Sequence, residues 1–151
     1  MHHFFAYMAR MRYIDRWALM RNSYTENIQE HSHQVAILAH ALAVLRNEYF
    51  GGRVDAGAVA VAALYHDASE ILTGDMPTPI KYDNPAIQGA YRDVEKMAEK
   101  KLLGMLPQEL REVYAPILTV PDEETRRLVK AADKLSAHIK CLEELKAGNL
   151  E

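Results

Sequence analysis

The sequence predicts an all-α fold of about six helices, and three observations carry that prediction. Apolar residues recur at spacings of three, four and seven along most of the chain. Gly and Pro punctuate the connections between those stretches. The alternation of apolar and polar residues that marks a half-buried strand does not occur over any useful length.

Taken in order, a first helix is expected from about Met1 to Arg10, with Arg16-Trp17 on the connection leading to Asn22 and Tyr24. Asn27 can cap the second helix, because Glu30 stands three residues on in the capping-box position. That helix runs through Leu45 and stops near Phe50-Gly51-Gly52. The third starts around Asp55, continues through Val59-Ala60-Val61-Ala62-Ala63-Leu64 into Tyr65-His66-Asp67-Ala68-Ser69-Glu70, and ends at Thr73-Gly74, where glycine is the usual terminator. Asp75-Met76-Pro77-Thr78-Pro79 follows as a loop stiffened by two prolines. Asn84-Pro85 joins a cap to a proline at the first helical position and opens a fourth helix reaching about Leu103. Pro107 opens a short fifth, and Asp122 caps a last one through about Lys146, before Gly148.

A chain of 151 residues suits a single domain over 1–151, large enough to bury roughly 70% of the surface its unfolded form exposes. It is 49% hydrophobic with a formal net charge of −3. Lys and Arg are dispersed, which argues against a nucleic-acid polymer or a membrane surface as partner. No run reaches the ~18 apolar residues of a membrane span, and Arg10 and Arg12 break the N-terminal stretch that a signal peptide would need. A cytoplasmic protein is expected. The single Cys141 excludes an internal disulfide, and is read as a small core hydrophobe.

Polar residues on apolar faces point to the chemistry. On the second helix His31, Val35, Leu38, Leu42 and Leu45 share one stripe, while His33 and His40 fall on the opposite side. On the third, Val59, Ala63, His66 and Glu70 align, with Asp67 beside His66. On the last, Leu128, Ala132, Leu135, Ile139 and Leu142 form the stripe, and Asp133 borders it. Burying such groups costs several kcal/mol unless their charge is compensated, and a divalent cation compensates two carboxylates. His31, His66, Asp67 and Asp133 thus form a set of two imidazoles and two carboxylates. Nitrogen and oxygen donors without thiolate favour Mn, Fe, Co, Ni or Zn, and four ligands leave positions open for chemistry. Taken singly, His31 can be a hydrogen-bonded core residue, Glu70 a surface charge, and Asp133 the partner of Lys130 or Lys134.

These motifs resemble those of the HD-domain phosphohydrolases: an isolated His, then His-Asp, then a distant Asp, each on its own helix. Phe4-Phe5, Ile14-Asp15-Arg16-Trp17, Leu19-Met20-Arg21-Asn22 and Thr25-Glu26-Asn27 further resemble the YfbR-type bacterial 5′-deoxynucleotidases. So do Glu30-His31-Ser32, the Tyr65–Glu70 segment, and Thr73-Gly74-Asp75-Met76-Pro77-Thr78-Pro79. The resemblance implies an HD-domain helical bundle that binds one divalent transition metal ion, cobalt or manganese for instance, and forms a homodimer. It implies hydrolysis of deoxyribonucleoside 5′-monophosphates to deoxynucleoside and phosphate. It makes His31, His66, Asp67 and Asp133 the metal ligands, with His31 and Asp67 also close to substrate. Arg16 becomes the group that orients the phosphate, and Trp17 contacts the nucleoside. Asp75, Met76, Pro77 and Thr78 become the substrate loop, and Glu70 the catalytic carboxylate. Sequences of that family continue past the position of Asn149, whereas this one stops at Glu151, so the domain is expected to be shortened at its C-terminus relative to the family, at the expense of dimerisation.

On this reading Glu70 accepts a proton from water or holds it in line with phosphorus, and Arg16 offers a planar fork of donors to the phosphate. The plainer alternatives are a surface ion pair of Arg16 with Asp15 or Glu26, and a core anchor for Trp17. Two rival functions stand beside it: an HD-domain phosphohydrolase for another nucleotide (a triphosphate or signalling nucleotide), and a non-catalytic helical module.

Overall fold

Local capping signals explain where four of the helices begin. The computed structural model describes residues 2–81 and 83–150, so Met1 and Glu151, the ends of the expected domain, lie outside the described residues. Among those residues the chain forms eight α-helices: α1 Phe4–Met8, α2 Ile28–Phe50, α3 Ala56–Leu64, α4 Glu70–Thr73, α5 Thr78–Lys81, α6 Pro85–Gly104, α7 Gln108–Thr119 and α8 Glu123–Lys146. Asn27 caps α2 in a full capping box with Glu30, and Asp55, Asn84 and Asp122 each accept from a backbone N–H of the helix they precede. Gly51 ends α2 at φ 66°, the left-handed conformation that suits glycine. Among the described residues no helix is long and apolar enough to cross a membrane.

The count exceeds six for two reasons. The expected third helix breaks after Leu64, and the chain crosses residues 65–69 in successive turns whose backbone bonds run i to i+3, such as Ala68 N to Tyr65 O at 3.0 Å and Glu70 N to Asp67 O at 3.0 Å. Tertiary burial imposes this break, since no Gly or Pro marks it. It inserts Ala68 among Phe4, Leu102, Leu106 and Leu118, and Ile71 against Met11 and Ile28. The expected proline loop also ends early, because Thr78 and Pro79 already belong to α5. At the N-terminus α1 tightens into a 3₁₀ turn over Ala9–Tyr13.

The main core joins α2, α3 and α8 through Val35, Ala36, Ala39, Ala43, Val59, Ala62, Ala63, Val129 and Ala132. Small side chains let these helices approach closely, and that rotates the faces away from the expected stripes. Leu45 is 45% and Leu135 41% exposed, and Leu142 is exposed too. Ala39 and Ala43 on α2, and Val129 and Ser136 on α8, take buried positions instead, beside Ala132, which is buried as expected. Cys141 is exposed, contrary to the core role expected of it. His33 and His40 face solvent as expected.

Candidate active site

Three separate pieces of chain deliver the polar cluster. His31 lies in the first turns of α2 and is fully buried. His66 and Asp67 ride the turns between α3 and α4. Asp133 comes from the middle of α8. His31 Nε2 stands 3.1 Å from Asp133 Oδ1 and 3.6 Å from Asp67 Oδ2, while His66 Nε2 stands 3.1 Å from Asp67 Oδ2. One donor atom each from His31, His66 and Asp133 fits within a span of 4.8 Å. Asp133 pairs with His31, rather than with Lys130 or Lys134.

Hydrogen bonding fixes which imidazole nitrogen each histidine turns inward. His66 Nδ1 lies 2.8 Å from the Ala63 carbonyl oxygen, which only accepts, so Nδ1 carries the proton. Ser136 Oγ donates to Gln34 Oε1 at 2.6 Å and is therefore left to accept from His31 Nδ1 at 3.2 Å. In their neutral form both rings thus offer an Nε2 lone pair to the same point, the arrangement that metal-ligating histidines require. His66 Nε2 and Asp67 Oδ2 are buried without a hydrogen bond in the protein. Together, the orphaned atoms, the tautomers and the all-N/O donors fit a divalent cation.

The charges reinforce one another. Burial acts to raise the Asp67 pKa, but His66, His31 and Arg16 overcome it and hold the carboxyl well below the usual range. Burial alone would push His66 down; Asp67, with help from Asp133, lifts it above the ordinary imidazole value. Burial also works to raise Asp133, and its close contact with His31, together with the charge of His66, brings it down. Glu70 goes the other way. Buried at the start of α4 and facing the negative charges of Asp67 and Asp75, its pKa is raised to about 9, and its Oε2 has no hydrogen-bond partner. Burial raises Asp75 too, against the opposing charge of Arg16.

Arg16 is no surface residue. Its Nη1 lies 3.5 Å from Asp67 Oδ2 and its Nε 3.2 Å from Glu26 Oε2, with side-chain exposure small on all three. Trp17 Nε1 donates to the same Glu26 oxygen at 3.0 Å. The substrate loop expected from sequence divides here. Asp75 sits under the influence of Arg16, Asp67 and the Trp17 backbone N–H. Met76 lines a mainly apolar cavity of about 200 Å³ with Leu72, Tyr91 and Met97. Pro77 is partly buried and Thr78 exposed at the start of α5. Lys81 Nζ donates to Glu95 at 2.7 Å and lies over the Tyr91 ring.

Several contributing residues escape a sequence reading. Ser136, Gln34 and the Ala63 carbonyl orient the histidines, yet nothing in their spacing marks them. Lys140, also buried, sends its Nζ to the Tyr24 carbonyl oxygen at 2.9 Å and to Glu144. Glu144 in turn accepts from Ser23 N at 2.8 Å. This ties the loop that carries Arg16 and Trp17 to the end of α8.

With this geometry in view, comparisons with known proteins are informative. Residues 3–151 match the family model described as 5′-deoxynucleotidase YfbR-like. A 5′-deoxynucleotidase of Photorhabdus laumondii is 56% identical over 153 residues, spanning 100% of this chain and 78% of that protein. The crystal structure of an HD-domain phosphohydrolase from Listeria innocua superposes with a TM-score of 0.86 at 22% identity, covering 98% of this chain and 71% of that one. A cyanophage S-2L HD phosphohydrolase, described as bound to dA and one catalytic Zn²⁺ ion, gives a TM-score of 0.62 at 26% identity over 87% of this chain and 66% of that one.

Proposed function

The chain belongs to the YfbR-like 5′-deoxynucleotidase family, and we propose that it hydrolyses deoxyribonucleoside 5′-monophosphates where His31, His66, Asp67 and Asp133 converge. It is a hydrolase of phosphomonoesters with the HD-domain fold. The observation that carries the site assignment is the convergence of two histidine Nε2 atoms and two carboxylates beside an immobilised arginine.

A divalent transition ion such as cobalt, manganese or zinc, held by those four side chains, supplies Lewis acidity toward phosphate and water. The protein does the rest. Arg16, clamped between Glu26 and Asp67, presents its remaining N–H groups to the phosphate oxygens that do not react, a planar match that lysine lacks. Glu70 holds the attacking water and takes its proton. Burial, with the charges of Asp67 and Asp75, keeps its carboxyl protonated in the cation-free site; with a cation held beside Asp67 the carboxylate would be favoured and readied as a base. Asp75 accepts from a sugar hydroxyl, and the Trp17 indole packs against the nucleoside. The loop prolines lower the ordering cost of that contact. This chemistry suits small nucleotides, and the reading places the enzyme in the cytoplasm.

The test is phosphate release from a deoxynucleoside monophosphate and its ribo counterpart, with Mn²⁺, Co²⁺ or Zn²⁺ and after chelation. Preferential release from the deoxy substrate, abolished by chelation and by Arg16→Ala, is expected. Absence of release with every metal, or unchanged rates for Arg16→Ala, would overturn the reading.

A further inference from the structure

Glu26 belongs to no motif with an assigned role, yet it is only 8% exposed. It stands where the segment between the 3₁₀ turn and α2 closes on itself. Arg16 N donates to the Glu26 carbonyl at 2.8 Å and Ile28 N to the Ile14 carbonyl at 2.9 Å, with Asp15 bridged to Asn27 between them. This closure brings the Glu26 side chain against Arg16 and Trp17 together. A single oxygen, Oε2, accepts from Arg16 Nε at 3.2 Å and from Trp17 Nε1 at 3.0 Å.

Two further features set this apart from an ordinary buried ion pair. Trp17 has φ 60°, a left-handed conformation that a bulky residue keeps only when its surroundings over-determine it. Those surroundings are the Glu26 carboxylate on the indole and Asn22 Nδ2 and Met20 N on the Trp17 carbonyl. Arg16, for its part, has a second carboxylate within reach, Asp67 Oδ2 at 3.5 Å. Without Glu26 its guanidinium would collapse onto Asp67 and compete for the oxygen offered to a cation.

We propose that Glu26 is a positioning residue, whose one carboxylate oxygen locks the Arg16 guanidinium and the Trp17 indole into a fixed relation, so that phosphate and nucleoside are met by one rigid unit. The inference rests on the deoxynucleotidase reading for the roles of Arg16 and Trp17, but the clamp has its own readout. Trp17 is the only tryptophan in the sequence, so protein fluorescence reports on it directly.

Glu26→Gln keeps shape and an acceptor oxygen but drops the charge, and Glu26→Leu removes both bonds while filling the space. With deoxynucleoside monophosphate and Mn²⁺, kcat/KM should fall roughly tenfold for the first and about a hundredfold for the second, chiefly through KM. In the folded variants, Trp17 emission should shift and acrylamide quenching rise, and Mn²⁺ affinity should fall, because the released Arg16 guanidinium competes for Asp67. If Glu26→Leu does not fold, Glu26→Gln carries the test alone. Emission and quenching unmoved in a folded variant, or kcat/KM within about twofold of wild type, would overturn the proposal. A merely structural Glu26 would lower the melting temperature and leave KM unchanged. Wild-type protein inert toward every deoxynucleoside monophosphate would sink the functional reading instead, and Trp17 emission would still judge the clamp.

Discussion

Glu70→Gln separates the chemistry of the site from its stability, because the two should move in opposite directions. The Glu70 carboxyl is raised from 4.5 to about 9, first by burial and then by the charges of Asp67 and Asp75. From about pH 5 to pH 8 the unfolded chain releases this proton while the folded cation-free protein keeps it. The folded state binds more protons, so its stability falls as pH rises. The contribution is complete below about 4.5 and gone once pH passes about 9. At about 1.4 kcal/mol per unit, three units amount to about 4 kcal/mol, and proton sharing with Asp75, itself raised, brings the expectation to about 2–4 kcal/mol. The amide does not titrate, so the variant should lack this slope. Urea unfolding in EDTA at both ends of the range measures it, and Mn²⁺ should flatten the wild-type curve by favouring the carboxylate. Turnover of the variant should drop by about 10²–10⁴, the usual worth of a general acid–base group. Parallel stability curves for the two proteins, or turnover within tenfold of wild type, would refute the reasoning.

Asp133→Asn should leave the fold intact, since this side chain is 39% exposed at the rim of the cluster. It should weaken Mn²⁺ binding by at least about tenfold to hundredfold in a calorimetric titration, and unchanged affinity would remove Asp133 from the donor set. Gly51→Ala should cost about 1 kcal/mol in urea unfolding. Open space surrounds its added Cβ and only the φ of 66° resists; no loss of stability would mean that the helix end relaxes freely.

The starts of α2, α6 and α8 are legible in this sequence because each is decided within four residues. Asn27 with Glu30, Asn84 with Pro85, and Asp122 with Thr125 all settle their backbone bonds locally. The break at residues 65–69 is not legible, since the alanine-rich segment has good helical propensity and the decision comes from distant partners of Ala68 and Ile71. Stripes drawn through the largest side chains also mislead here. When helices meet through Ala39, Ala43 and Ala132, Leu45, Leu135 and Leu142 are left outside. The cluster of His31, His66, Asp67 and Asp133 survives both errors because each helix or turn needs only to aim a side chain roughly inward. Its supports, Glu26, Gln34 and Ser136, carry no signal of their own. Their meaning comes from hydrogen bonds that span up to 105 residues of sequence.

The geometry of α8 gives that helix the character of a ruler. Asp133 and Ser136 mark one graduation, at the histidines, and Lys140 and Glu144 mark another, at the segment carrying Tyr24. Seven residues separate Asp133 from Lys140, about 10 Å at 1.5 Å per residue. Side-chain changes along its outer face leave the scale unaltered. A single residue added or removed between the two marks would turn the far one by about 100° and release the Tyr24 segment, so length is the property this stretch can least vary.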